Sequence, residues 1–184
     1  MVREIRIYFE GDKALRSGFN RFLSKLIERA HANEVGFHLI AGKATAEEDF
    51  RTAQKVHRSA WNILLRDSDA PKPKRKKSVF WMVQVMEAWF LADPAALALY
   101  YGKNFVSNAL KKNRHVEEIP KADVLKCLKQ ATRKTQKGAY HKTAHAPHIL
   151  ELLDPDKVRQ AAPECKRMFG EILAELEKSP VQGR

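Results

Sequence analysis

The 184-residue chain is 44% hydrophobic and 30% charged, with 34 Lys and Arg against 22 Asp and Glu and a formal net charge of +12. That length buries one core, or a core plus an appendage, and the cationic excess points to a polyanion, nucleic acid or nucleotide ahead of membrane surface, because Lys and Arg neutralise phosphates and release counterions. No stretch approaches the roughly 18 uninterrupted apolar residues of a membrane span, and the N-terminus lacks a signal-peptide core; Cys127 and Cys165 make neither a disulfide framework nor a zinc site, so the expected setting is a reducing cytoplasm with both thiols as packing residues.

Strand and helix patterns alternate over the first 70 residues. Arg3 to Phe9 reads as a strand and stops at Glu10-Gly11, where the Gly is expected to let the backbone turn sharply. Lys13 to His31 then carries apolar residues at helical spacing (Leu15, Phe19, Phe22, Leu23, Leu26, Ile27), which predicts one amphipathic helix. Val35 to Ile40 predicts a second strand. Thr45 is the expected N-cap of a helix running to about His57, with Glu47, Glu48 and Asp49 in its first turn. Trp61 to Leu65 is short and apolar, as in a strand covered on both faces, and ends in Arg66-Asp67-Ser68-Asp69.

Strands joined by short helical crossovers imply right-handed parallel connections, and ligands of such sheets bind beyond the carboxyl ends of the strands. Glu10, Asp67 and Asp69 all follow strands at those ends, so they are expected to meet on one rim. Beyond them, Pro71 to Lys77 is a basic, proline-broken loop, either a solvated linker or a phosphate contact. Val79 to Val85 predicts a fourth strand, Met86 to Leu91 turns helical, and Asp93-Pro94 is expected to cap a helix over 95–100. Helices are expected at about 121–132, 146–153 and 163–177, with 179–184 frayed. The whole is read as one domain over 1–184: an α/β core over 1–100 with a mostly parallel sheet flanked by helices, and a mainly helical extension over 101–184.

The chemistry these residues suggest is metal-assisted. Asp67 and Asp69, two residues apart, repel each other unless a cation or several donors offset the repulsion. Mg²⁺ takes oxygen ligands and needs only a few carboxylates beside substrate phosphate. Read alone, Glu10-Gly11 is an ordinary turn and Asp67-Ser68-Asp69 an Asx-turn; read together they are a site. Glu87, in an apolar stretch beside Trp89 and Phe90, needs a partner and is either a further acid near the metal or a buried Glu bonded to a Lys or to backbone. Gln84 is a weaker candidate. His141, His145 and His148 have the spacing of one helical face, but zinc would need a helix that Pro147 is expected to interrupt. Lys142 is either a surface lysine or a cation placed to steady phosphoryl charge. Lys13, Arg16 and Lys43 stand near the rim as candidate phosphate contacts.

A strand ending in Glu-Gly followed, two crossovers later, by one ending in Asp-x-Asp resembles the Toprim domain of topoisomerases, bacterial primases and OLD-type nucleases. In detail the chain resembles the bacterial family known as domain of unknown function 4276, of Toprim-like character. FEGDKALRSGF (9–19), LLRDSD (64–69), MVQVMEAWFLADPAAL (82–97), EEIPKADVL (117–125) and GAYHKTAHAPHIL (138–150) carry the likeness. The resemblance implies Glu10 as general base or metal ligand, Asp67 and Asp69 as the pair holding Mg²⁺ or Mn²⁺, and Lys142 as a late catalytic lysine. The function it implies is nuclease-like phosphodiester cleavage, as the effector of an ATPase-linked defence or repair system. The alternative is a catalytically weak nucleic-acid-binding or regulatory subunit of the same fold. One departure stands out: the position four residues after Glu10, often acidic in Toprim proteins, is Ala14, and Asp12 comes two residues early. OLD-type systems further imply a separate ABC-type ATPase as partner, since this chain has no G-x-x-x-x-G-K-[ST] loop. The aromatic stretch Trp89, Phe90, Tyr100 and Tyr101 would be its docking surface if it were not core.

Overall fold

A computed structural model describes residues 2–178. Four strands, β1 (Glu4–Glu10), β2 (Gly36–Gly42), β3 (Trp61–Asp67) and β4 (Val79–Met82), form one sheet in the order β2-β1-β3-β4. Every neighbouring pair is parallel. The crossovers are helical: α1 (Lys13–Phe22) and α2 (Ser24–Ala32) lie between β1 and β2, and α3 (Ala46–Val56) between β2 and β3. After β4 come a 3-10 segment (Met86–Ala92), α4 (Pro94–Tyr101), α5 (Lys121–Thr132), α6 (Lys142–Leu152), α7 (Pro155–Ala161) and α8 (Pro163–Glu177). The α/β class and the helical C-terminal part agree with the sequence reading.

Strand alternation divides the core between the two sheet faces. Ile5, Ile7, Phe9, Ile63 and Leu65 point into the larger cluster, with Phe19, Phe22, Leu26, Trp89, Leu150 and Phe169. Tyr8 and Leu64 point the other way, onto Ala46, Phe50 and Ala53 of α3. One helix therefore covers one face, and nearly everything after β4 covers the other. The candidate docking aromatics belong here: Trp89 and Phe90 are fully buried, Tyr101 is buried and Tyr100 half-buried against the cluster.

Several elements differ from expectation for identifiable reasons. The long first helix is two helices, because Leu23 leaves helical geometry at φ −96°, ψ 10°. That offset keeps Phe22, Leu23 and Leu26 all buried. β4 ends three residues early, at Met82. Gln84 has φ +60°, which a strand does not accommodate. The Thr45 hydroxyl bonds the Asp49 carboxylate at 2.8 Å and no backbone N–H. Asp93 does not cap α4 through its side chain; it accepts from Lys157 Nζ (2.7 Å) and the Asp154 N–H (3.1 Å) instead. α6 runs straight through Pro147, which lacks an N–H and so leaves the Thr143 carbonyl without its helical donor. Gly11 is not in the left-handed region. Its requirement is space, since a Cβ there would lie 2.6 Å from Leu15 Cδ2. The expected fraying at 179–184 lies outside the described residues.

Candidate functional site

β1 and β3 are neighbours, so their carboxyl ends lie side by side. A cavity of about 410 Å³ opens there, lined by Glu10, Asp12, Lys43, Arg66, Asp67 and Lys142, with Met82, Met86 and Pro147 as apolar wall. Glu10 and Asp67 reach it from opposite strand faces. Glu10 continues the alternation of Tyr8, and Asp67 that of Ile63 and Leu65.

Asp67 is divided between structure and solvent. Its Oδ1 accepts the Met86 N–H at 2.8 Å, tying the start of the 3-10 segment to the end of β3. Its Oδ2 lies 3.4 Å from Lys142 Nζ. Burial raises the Asp67 pKa, the Lys142 ammonium opposes that rise, and the Glu87 charge adds to it. Lys142, the first residue of α6, also lies 3.7 Å from Glu87 Oε1. Burial pulls the Lys142 pKa down, but Glu87, Asp67 and Glu10 together hold it above its ordinary value.

Glu87 is completely buried beneath this pair. Tyr140 Oη donates to its Oε1 at 2.9 Å, and its Oε2 has no hydrogen-bond partner among the described residues. Glu87 is thus a buried acid bonded to Tyr140 and within ion-pair distance of Lys142, and it does not itself line the cavity. The Tyr140 phenol pKa is pushed up by burial and then by Glu87.

Asp69 does not join them. Its carboxylate lies 2.5 Å from Lys121 Nζ and does not line the cavity. The cause is a backbone clamp. Asp69 (φ +52°) and Gln84 (φ +60°) are both left-handed, and the Asp69 N–H donates to the Gln84 carbonyl at 3.2 Å. Gln84 Nε2 donates to the Glu117 and Ile119 carbonyls (3.2 and 2.9 Å), and its Oε1 accepts the Lys121 N–H at 3.0 Å. Gln84 therefore fastens the start of α5 beside Asp69. Left-handed non-glycine residues cost on the order of 1–3 kcal/mol and persist only where their surroundings fix them.

The remaining candidates are dispersed. Asp12 lines the cavity while its Oδ1 caps α1 through the Leu15 N–H at 2.9 Å. Lys43 lines the cavity, whereas Lys13 and Arg16 line two adjoining ones. Arg66 is held by Glu47. His145 is buried, its Nδ1 bonded to Tyr101 Oη and accepting the His141 N–H. Among the described residues no three His, Cys, Asp or Glu side chains are grouped closely enough to hold a metal ion, which applies equally to the three histidines and to Glu10, Asp67 and Asp69. Residues the sequence reading left without a role are Tyr140 and Lys121. Tyr140 lies two residues before Lys142 in the GAYHKTAHAPHIL segment, but only the fold places its hydroxyl on Glu87.

The chain is an α/β protein whose parallel sheet carries an acid–lysine recess at its carboxyl rim, the edge beyond which ligands of such sheets bind. The chain belongs to the family described as Domain of unknown function (DUF4276), which it matches over residues 12–173. The match takes in Asp67, Asp69, Glu87, Lys121, Tyr140 and Lys142, and begins two residues after Glu10. No curated protein and no solved structure matched the chain. Among the described residues no helix is long and apolar enough to cross a membrane.

Proposed function

We propose that this recess is the reaction centre of a Mg²⁺- or Mn²⁺-dependent phosphodiesterase that acts on nucleic acid and has Toprim-type character. The observation that carries the reading is the meeting of Glu10, Asp67 and Lys142 at one rim cavity in a chain of net charge +12. An ion at this cavity would be held by Glu10 and Asp67, which both line it, and completed by water and substrate oxygens, as Mg²⁺ commonly is. The donor set does not fit a cage that includes Asp69. When bound, such an ion would activate water and steady the leaving oxygen. Asp67 Oδ1 is engaged by the Met86 N–H and Oδ2 by Lys142, so the ion would share Oδ2 with the ammonium. Lys142 would face charge developing on the phosphoryl oxygens, the position in which a fixed cation contributes most. Glu10, exposed at the strand end, would serve either as ligand to that ion or as the base that takes a proton from attacking water.

One observation favours a second reading, a catalytically weak nucleic-acid-binding or regulatory subunit. Asp69 is spent on Lys121, and Asp67 is already partly neutralised by Lys142. Cleavage of labelled DNA and RNA with Mn²⁺, wild type beside Asp67→Ala and Lys142→Met, tests the two. Cleavage lost in both variants supports the enzyme; none by the wild type with any divalent ion supports the subunit. Under either reading we propose a separate ABC-type ATPase as the source of ATP-driven control, and burial of Trp89 and Phe90 removes them as its docking surface.

A further inference from the structure

Three cavities adjoin, beginning at this rim and continuing towards the amino end of β2. The recess shares Gly11, Asp12 and Lys43 with a second cavity of about 600 Å³. The second shares Lys13, Arg16, Leu39 and Ile40 with a third of about 550 Å³, which reaches Phe37, His38 and Arg6. Together they form a trough from the recess to the outer edge of the sheet, where β2 has a strand neighbour on one side only.

The trough is cationic. Lys13, Arg16 and Lys43 are exposed, and among the described residues none forms a salt bridge. Asp12 is the acid among them, and it is engaged as the α1 cap. Unpaired cations repel a second copy of this +12 chain and attract phosphate. At the inner end the Asp67 side chain is recessed, 22% exposed, between the more open Glu10 and Lys142. A duplex is stiff, with a persistence length of about 50 nm, and keeps its paired backbone on the outside of a rod, so it bridges such a recess. An unpaired strand bends into it.

We propose that this trough seats one unpaired strand of nucleic acid, its backbone running from the β2 edge past Arg16, Lys13 and Lys43 to present a phosphodiester to Glu10, Asp67 and Lys142. The proposal deepens the functional reading above and rests on it for the identity of the recess. Phe37 is the single aromatic along the trough, so stacking contributes little and backbone charge dominates. Binding is therefore tolerant of base sequence and steep in salt.

The test is fluorescence anisotropy on the full chain in EDTA, which separates binding from cleavage, with labelled oligo(dT), oligo(rU) and a duplex of about 10 nucleotides, within the range of single-strand sites. We expect a single strand to bind at least tenfold tighter than the duplex, and the tighter of dT and rU identifies the sugar. Lys13→Glu/Arg16→Glu weakens binding at least tenfold and flattens the log–log salt slope by about 1.4, at about 0.7 per phosphate contact. Lys13→Gln/Arg16→Gln does the same in smaller degree. Lys126→Glu/Lys129→Glu, exposed on α5 and outside the trough, weakens it far less. The trough is overturned by no binding at about 50 mM salt, by duplex bound as tightly as single strand, or by equal losses in the α5 pair. A dimer that the Lys13/Arg16 variants break, with oligonucleotide binding unchanged, overturns it too and assigns the β2 edge to a second copy. Binding that behaves as expected without cleavage under Mg²⁺ or Mn²⁺ sinks the nuclease reading and leaves the trough standing.

Discussion

Lys142 Nζ lies 3.4 Å from Asp67 Oδ2 and 3.7 Å from Oε1 of the buried Glu87. One ammonium thus serves two carboxylates, one open to the rim and one closed off from it. Such an arrangement gives the lysine a structural duty as well as any chemical one.

Lys142→Met should therefore destabilise the fold. Loss of one partner of a fully buried pair costs about 3–5 kcal/mol. Lys142 is 54% exposed, so its share is smaller, on the order of 1–2 kcal/mol once solvent screening is allowed for. Urea unfolding at neutral pH measures it. Tyr140→Phe, which removes the 2.9 Å donor to Glu87 and leaves that acid more isolated, should cost about 1–3 kcal/mol in the same assay.

The α1–α6 contact that positions Lys142 predicts an intolerant glycine. A Cβ on Gly18 would lie 2.7 Å from the Pro147 carbonyl oxygen and 3.1 Å from Leu150 Cβ. Ala in mid-helix normally gains about 1 kcal/mol over Gly. Here the overlap with backbone should outweigh that gain, because overpacking costs typically about 1–3 kcal/mol. Gly18→Ala should lower the melting temperature, where an exposed mid-helix glycine would raise it.

Much of this frame was legible in the sequence. β1 and β3 ended where Glu10-Gly11 and Asp67-Ser68-Asp69 indicated, and α5 and α8 occupy the expected spans. The rim position of Glu10 and Asp67 followed from crossover topology alone. What stayed hidden was set by distant partners. Nothing local to Asp67-Ser68-Asp69 announces that Gln84 will turn left-handed and carry Lys121 to Asp69. Pro147 argued against a helix from 142, yet Ala146, Ile149 and Leu150 bury themselves in the core, and tertiary packing outweighed one missing hydrogen bond. Helix α7, seven residues between the Asp154-Pro155 start and the Ala162-Pro163 start of α8, carried too short a pattern to read.

Away from the recess, Glu117 predicts a pH dependence. Its carboxylate accepts the Glu164 N–H at the start of α8 through both oxygens, at 3.0 and 3.2 Å. Burial raises its pKa to about 7, the Glu164 N–H opposing the shift. A carboxyl whose folded pKa lies above its unfolded one binds more protons when folded, so stability falls as pH rises through the window between them. The window runs from about 4.5 to about 7. Its upper bound is about 3 kcal/mol, at 1.36 kcal/mol per pH unit. Unfolding free energies at pH 5, 6, 7 and 8 should decline for wild type relative to Glu117→Gln and run parallel above pH 7.5. A difference constant with pH would show that Glu117 does not titrate in this range.

The last prediction concerns the ion and the acid that the fold diverts. Asp69 is 63% exposed and held by Lys121, itself 45% exposed, so the pair contributes little stability, less than about 1 kcal/mol. Lys121→Ala should leave the melting temperature within a few degrees of wild type while releasing the Asp69 carboxylate two residues from Asp67. If the recess holds Mg²⁺ or Mn²⁺, the ion should raise the melting temperature of wild type by mass action, since it binds the folded chain alone. Asp67→Ala should abolish that rise, because Oδ2 of Asp67 is the acid oxygen turned to the cavity. Lys142→Met should enlarge it, since the ammonium competes with the ion for the same oxygen. Lys121→Ala then decides the role of Asp69. A larger rise than wild type means that Asp69 swings in once freed and that Lys121 acts as a stopper on a wider acid site. A rise equal to wild type means that the left-handed backbone at Asp69, rather than its lysine, keeps the carboxylate out, and the ion is held by Glu10 and Asp67 alone.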